Sequence, residues 1–310
     1  MCPKRLNTRI NRLSIDKNVM QPKNSGDRDF STISPSARLL LMLKGATDIP
    51  FARQAAELIS ATGEQTSYDG IKDLDFWTAT VHFEKRYKSI DQLLYGLPGK
   101  NILELASGFS FRGINAVQQN CLYYIDTDLP DIINVKKEIA AALGPVAVAA
   151  GSCLEMLPLN ALDGEQFGEV TDRFPVGAVN VINEGLLVYL NRDEKEKLCS
   201  LIHGLLKKRG GYWVTADIYI KKSGRSISLN KNGEMRQFFD LHHIEDNKFE
   251  SFKEAESFFN RAGFVIEREA ETDNSKITAL KYLLASATDQ QLAELRKAAR
   301  THTTWRLKVK

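Results

Sequence analysis

The chain has only four cysteines in 310 residues, Cys2, Cys121, Cys153 and Cys199, and no two stand at the short spacing of a metal or redox pair. That excludes a zinc motif and a disulfide framework, and it suits a reducing compartment. No run of about 18 apolar residues occurs, so no membrane-spanning helix and no membrane partner are expected. The net charge is just +3, too little to demand nucleic acid as a partner. The excess is local, because residues 1–30 carry seven Lys/Arg against three Asp/Glu. The apolar core of a secretory signal is missing from that stretch. Its Arg-rich start has only a faint transit-peptide character, and a cytoplasmic location is the expectation.

What is present reads as an α/β protein. Residues 1–30 show no hydrophobic periodicity and are expected to form a disordered basic tail. Residues 31–96 read as an all-helical cap. Ser34-Pro35 can open a helix that Gly45 ends, a second follows Pro50, and a third carries Phe76, Phe83, Tyr87, Ile90 and Leu94 on one face. From residue 97 to 310 short apolar strands alternate with helices. The strands expected are Asn101–Ala106, Leu122–Asp126, Val146–Ala149, Ala178–Ile182, Tyr212–Ala216, Phe264–Arg268 and Thr304–Val309. Such alternation implies βαβ crossovers and a largely parallel sheet with helices on both faces. An insertion is expected around residues 221–250.

In open sheets of this kind ligands bind beyond the carboxyl ends of the strands. The turn Glu104-Leu105-Ala106-Ser107-Gly108 follows the first strand, and its small residues let the backbone approach a ligand. A G-x-G-x-x-G fingerprint is missing there, and Phe109 and Phe111 are expected to crowd a pyrophosphate. After the second strand stand Asp126 and Asp128; one carboxylate can take ribose hydroxyls while the other caps the next helix. Ser152, Cys153 and Leu154 follow the expected third strand, where an adenine edge would lie. Glu184 opens the stretch Asn183–Leu190 after the fourth strand. A carboxylate among apolar residues is costly to bury unpaired, so it should meet a cation or donors.

Together these residues resemble the leucine carboxyl methyltransferase-like family, which includes the polyketide O-methyltransferases. The resemblance rests on Ile102–Arg112 (ILELASGFSFR), Tyr124–Pro130 (YIDTDLP), Asn183–Leu190 (NEGLLVYL) and Phe83–Leu94 (FEKRYKSIDQLL). It implies a Rossmann-like seven-stranded methyltransferase sheet with an N-terminal helical cap, and S-adenosyl-L-methionine as cofactor. By that likeness Arg86 would hold the cofactor carboxylate and Glu104, Ser107 and Gly108 would line it. Asp128, alone or with Asp126, would bind ribose; Ser152, Cys153 and Leu154 would flank adenine; Glu184 would face the amino-acid end. The chain departs from the family at the turn, where Ala106 replaces a Gly and Ser110-Phe111-Arg112 keeps only the Arg of the usual tripeptide.

The reaction expected is methyl transfer to an oxygen, carboxylate or hydroxyl, of a small molecule. Tyr189 and Glu184 are the catalytic candidates, with His242 or His243 as a further base, and no metal is expected. The rivals are a catalytically silent nucleoside-binding protein, motivated by the altered turn, and an NAD(P)-dependent oxidoreductase. The only Tyr-x-x-x-Lys, Tyr68/Lys72, lies before the sheet and so speaks against the latter.

Overall fold

A computed structural model of the chain describes residues 34–61, 72–145, 147–221 and 240–310. The basic tail, Tyr68 and most of the expected insertion lie outside the described residues. Three helices come first: α1 (Ser34–Gly45), α2 (Ala52–Ser60) and α3 (Leu74–Leu94). Asp73 starts α3 by accepting the Phe76 amide at 2.9 Å, and one face of α3 buries Phe76, Tyr87, Ile90 and Leu93.

The sheet follows as β1 (Asn101–Leu105), β2 (Tyr123–Asp128), β3 (Cys153–Pro158), β4 (Val179–Asn183), β5 (Trp213–Tyr219), β6 (Phe264–Glu269) and β7 (His302–Val309). Between strands lie α4 (Arg112–Gln119), α5 (Pro130–Ala142), α6 (Gly164–Thr171), α7 (Arg192–Arg209), α8 (Phe252–Arg261), α9 (Leu280–Ser286) and α10 (Asp289–Lys297). The strand order is β3-β2-β1-β4-β5-β7-β6. The first five strands are parallel, and β7 runs antiparallel between β5 and β6. The order reverses between β1 and β4, the switch point where such sheets bind ligands.

Alternate residues of each strand face opposite layers. Leu103, Leu105, Val179, Val181 and Trp213 pack with Leu198, Ile202 and Leu206 of α7 and Phe259 of α8. Ile102, Tyr124, Ile182, Val214 and Ala216 pack with Ile90 and Leu93 of α3 and Val117 of α4. The longest of the sheet's helices, α7, is fixed at both ends. An Asn191/Glu194 capping box opens it, Lys207, Lys208 and Arg209 fill its last turn, and Gly210 leaves it at φ 72°.

The third strand departs most from the sequence reading, and β2, β5 and β7 run two or three residues past their expected ends, β5 through Tyr219 and β7 from His302. The third strand is Cys153–Pro158, not Val146–Ala149. Val146 lies outside the described residues, and residues 147–149 stay outside the sheet, with Val148 half exposed, while Leu154 and Met156 of the true strand were disguised by Glu155 and Pro158. The second strand runs two residues beyond Asp126, so Asp126 lies inside the sheet and Asp128 stands at its tip. No helix among the described residues is long and apolar enough to cross a membrane.

Candidate functional site

The turn after β1 is built from Ala106 at φ 49° and Gly108 at φ 52°. A left-handed alanine is strained where glycine is not, which gives the Ala-for-Gly departure a local conformational cost. The Gly108 amide donates to Asp128 Oδ2 at 2.6 Å and the Leu129 amide to Oδ1 at 2.7 Å. Asp128 therefore ties the β1 turn to the start of α5. Burial nevertheless pushes its carboxyl above the ordinary value, with those two amides opposing.

Asp126 is spent elsewhere. It is fully buried, and Lys136 of α5 donates to it at 2.8 Å and to Ser107 Oγ at 2.8 Å. Of the two aspartates only Asp128 remains at the ligand face. Glu104 is likewise interior: it accepts from Tyr124 Oη at 2.6 Å and lies 3.6 Å from Arg112 Nε. Burial and the neighbouring Asp126 push it up to about 7.

Glu184 follows the last residue of β4 and is met by three cations. Lys44 Nζ of α1 lies at 2.6 Å, Arg86 Nε of α3 at 3.1 Å and Arg112 Nη2 of α4 at 3.2 Å. Burial would raise its carboxyl, but Lys44, Arg86 and Arg112 override that and hold it at about 2. Arg112 also pairs with Asp91. The guanidinium of Arg86 donates from Nη1 to Tyr219 Oη at 3.2 Å. Its Nη2 is buried with no acceptor among the described residues, and it lies 3.3 Å from where a Cβ on Gly185 would stand. A charge-bearing donor left unsatisfied in the interior is expensive.

The turn after β4 is ordered by Asp217, in the middle of β5. It accepts from Asn183 Nδ2 and from the amides of Gly185, Leu186 and Leu187, at 2.6–3.0 Å. Tyr189 ends that turn, its hydroxyl 3.0 Å from Ser36 Oγ of α1 and its ring edge-on to His242. His242 is buried against the site wall, whereas His243 is exposed and pairs with Asp246. Helix α1 lies across all of this, with Ala37 Cβ 3.5 Å from a Cβ placed on Gly108.

The structure thus brings Arg86, Ser107, Gly108, Asp128, Glu184 and Tyr189 to one end of the sheet. It does not bring Ser152, Cys153 and Leu154 there, which corrects the adenine assignment. They stand at the amino end of β3, opposite Tyr123 and Tyr124, and Ser152 Oγ joins the loops there through Leu122 N and Asn120 O. Phe109 and Phe111 also differ from expectation: they pack with Leu41, Ile49, Tyr87 and Ile114 and so fasten the cap. Sequence reading missed Lys44, Asp217, Tyr219 and Lys136. Asp217 had a usable signal, a lone carboxylate in an apolar strand; the others come from distant segments.

No family model matches the chain, and no curated relative does. Solved structures resemble it weakly. A magnesium protoporphyrin IX methyltransferase from Synechocystis PCC 6803 with bound SAH is 9% identical at a TM-score of 0.43, covering 83% of this chain and 95% of that one. OxaC in complex with sinefungin and meleagrin is 12% identical at 0.42, covering 69% and 44%. A pericyclic reaction enzyme is 10% identical at 0.42; 73% of this chain covers 47% of that one, so this chain spans less than half its length. The fold is a Rossmann-like, seven-stranded mixed sheet with helices on both faces. That statement rests on strand order and direction, since likenesses of this size assign neither ligand nor reaction.

Proposed function

We propose that the chain is an S-adenosylmethionine-dependent methyltransferase acting on an oxygen of a small molecule. The observation that carries the reading is the buried Nη2 of Arg86, without an acceptor among the described residues, beside Glu184 at the switch point of the sheet. A zwitterionic amino-acid tail matches this pair: its carboxylate would satisfy Arg86, with Lys44 near, and its ammonium would meet Glu184. Asp128, anchored on Gly108, is the carboxylate available for ribose hydroxyls. Bound there, S-adenosylmethionine would supply an electrophilic methyl on sulfur. The residues of the chain hold the tail, exclude water through α1, and orient the acceptor, which is most of what an in-line displacement requires. Tyr189, bonded to Ser36, is a wall of that enclosure.

Titration calorimetry with S-adenosylmethionine tests the proposal, the expected result being binding that Arg86→Ala abolishes. Absence of binding to the native chain rejects it. The silent-binder reading has one observation in its favour, the engagement of Asp126 by Lys136. Binding without methyl transfer to any metabolite would select that reading.

A further inference from the structure

Tyr219 ends β5, His302 starts β7 and His82 lies on α3 one turn before Arg86, so three polar rings meet beside the site. Tyr219 and His302 ring centroids are 4.4 Å apart, and those of His82 and His302 5.2 Å. His82 Nε2 lies 2.7 Å from Tyr219 Oη, and His302 Nε2 2.7 Å from the Ala216 carbonyl.

Counting protons limits the group to two directions, set by which ring nitrogen of His82 carries the proton. The Ala216 carbonyl can only accept, so His302 carries its proton on Nε2. Arg86 can only donate, so it occupies one lone pair of the Tyr219 oxygen. With the His82 proton on Nδ1, the phenol hydrogen is directed at His82 Nε2, and among the described residues one phenol lone pair then remains. The guanidinium that touches Glu184 through Nε touches Tyr219 through Nη1, which sets this lone pair one guanidinium's width from the site of the ligand tail. A hydroxyl can donate into it; an ionised carboxylate has no hydrogen to give.

We propose, resting on the methyltransferase reading, that Tyr219 and His82 form the proton-accepting end of the acceptor site and that the acceptor is a hydroxyl compound rather than a carboxylate. The acceptor oxygen forms the new O–CH3 bond while the S–CH3 bond breaks with its electron pair going to sulfur. The acceptor proton passes to Tyr219 Oη as the Tyr219 proton passes to His82 Nε2, leaving an imidazolium that returns its proton to solvent. One positive charge, on sulfur, is lost and one, on His82, is gained, so the charge of the site is conserved. Burial, only partly opposed by Arg86, pushes the Tyr219 phenol up to about 12, which suits a relay that stays protonated between turnovers. His302, held down to about 4 mainly by burial, remains a neutral wall for the Tyr219 ring.

The first test is nitrogen-15 NMR of the histidine rings in the unliganded full chain, with His82 assigned by His82→Gln. A neutral ring protonated on Nδ1, whose Nε2 resonance moves in Tyr219→Phe, is expected; a proton on Nε2 overturns the proposal. The second incubates the chain with S-[methyl-13C]adenosylmethionine and a low-molecular-weight metabolite extract. A base-stable methyl ether is expected, formed about 10²–10⁴-fold more slowly by His82→Ala and rescued by added imidazole. A base-labile methyl ester, an N-methyl product, or undiminished rates in His82→Ala with cofactor affinity intact overturn the inference alone. Failure of S-adenosylmethionine to bind in calorimetry overturns the methyltransferase reading and the inference with it.

Discussion

Replacing Glu184 by Gln removes the one charge that Lys44, Arg86 and Arg112 share. Two independent arguments size the effect. Removing one partner of a buried ion pair strands the other and costs about 3–5 kcal/mol. The carboxyl itself falls from the ordinary 4.5 to about 2 on folding, a difference worth about 3 kcal/mol at neutral pH. Because the folded value is depressed, this stabilisation is complete above pH 4.5 and is lost as pH falls toward 2. Urea unfolding of native and Glu184→Gln chains, followed by tryptophan fluorescence, should therefore show a gap of about 3 kcal/mol at pH 6.5. The gap should narrow steadily below pH 4.5, the ordinary carboxyl value. Equal stability at pH 6.5, or a gap that does not shrink in acid, would refute the view that Glu184 is the keystone of the cluster.

Asp128→Asn should keep the fold, since an amide oxygen still accepts from Gly108, but lose about tenfold or more in S-adenosylmethionine affinity, read by calorimetry. Ser152→Ala and Cys153→Ser should leave that affinity unchanged, because both residues sit at the other end of the sheet. Lys136→Met should cost about 3–5 kcal/mol in urea unfolding, and adding Asp126→Leu should recover most of it, because the pair rather than either charge is what the core tolerates. Gly211→Ala should abolish soluble expression or sharply lower the melting temperature, for the new Cβ would stand 2.0 Å from the Val179 carbonyl oxygen.

The sheet was largely legible because β1, β4 and β5 are mostly apolar runs flanked by glycine, and α7 announces itself by its caps. The third strand was not, since Glu155 and Pro158 interrupt it and a more apolar alanine stretch lies just upstream. The candidate site divides the same way. Gly108, Asp128 and Glu184 follow strands and are found by looking there. Lys44 reaches Glu184 across 140 residues of chain, and His82 reaches Tyr219 across 137. No local pattern marks such pairs; they exist only once the cap has folded onto the sheet.

The antiparallel β7 has a bearing on how the chain acquires its shape. Among the described residues β6 pairs in the sheet only with β7, which buries Trp305 and Leu307. During synthesis β6 must therefore wait, with its edge unpaired, until residues 302–309 have left the ribosome, while β1 to β4 already have their neighbours. A chain cut before His302 would lose the pairing of two strands rather than one. The docking of β7 is also the step that sets His302 beside Tyr219.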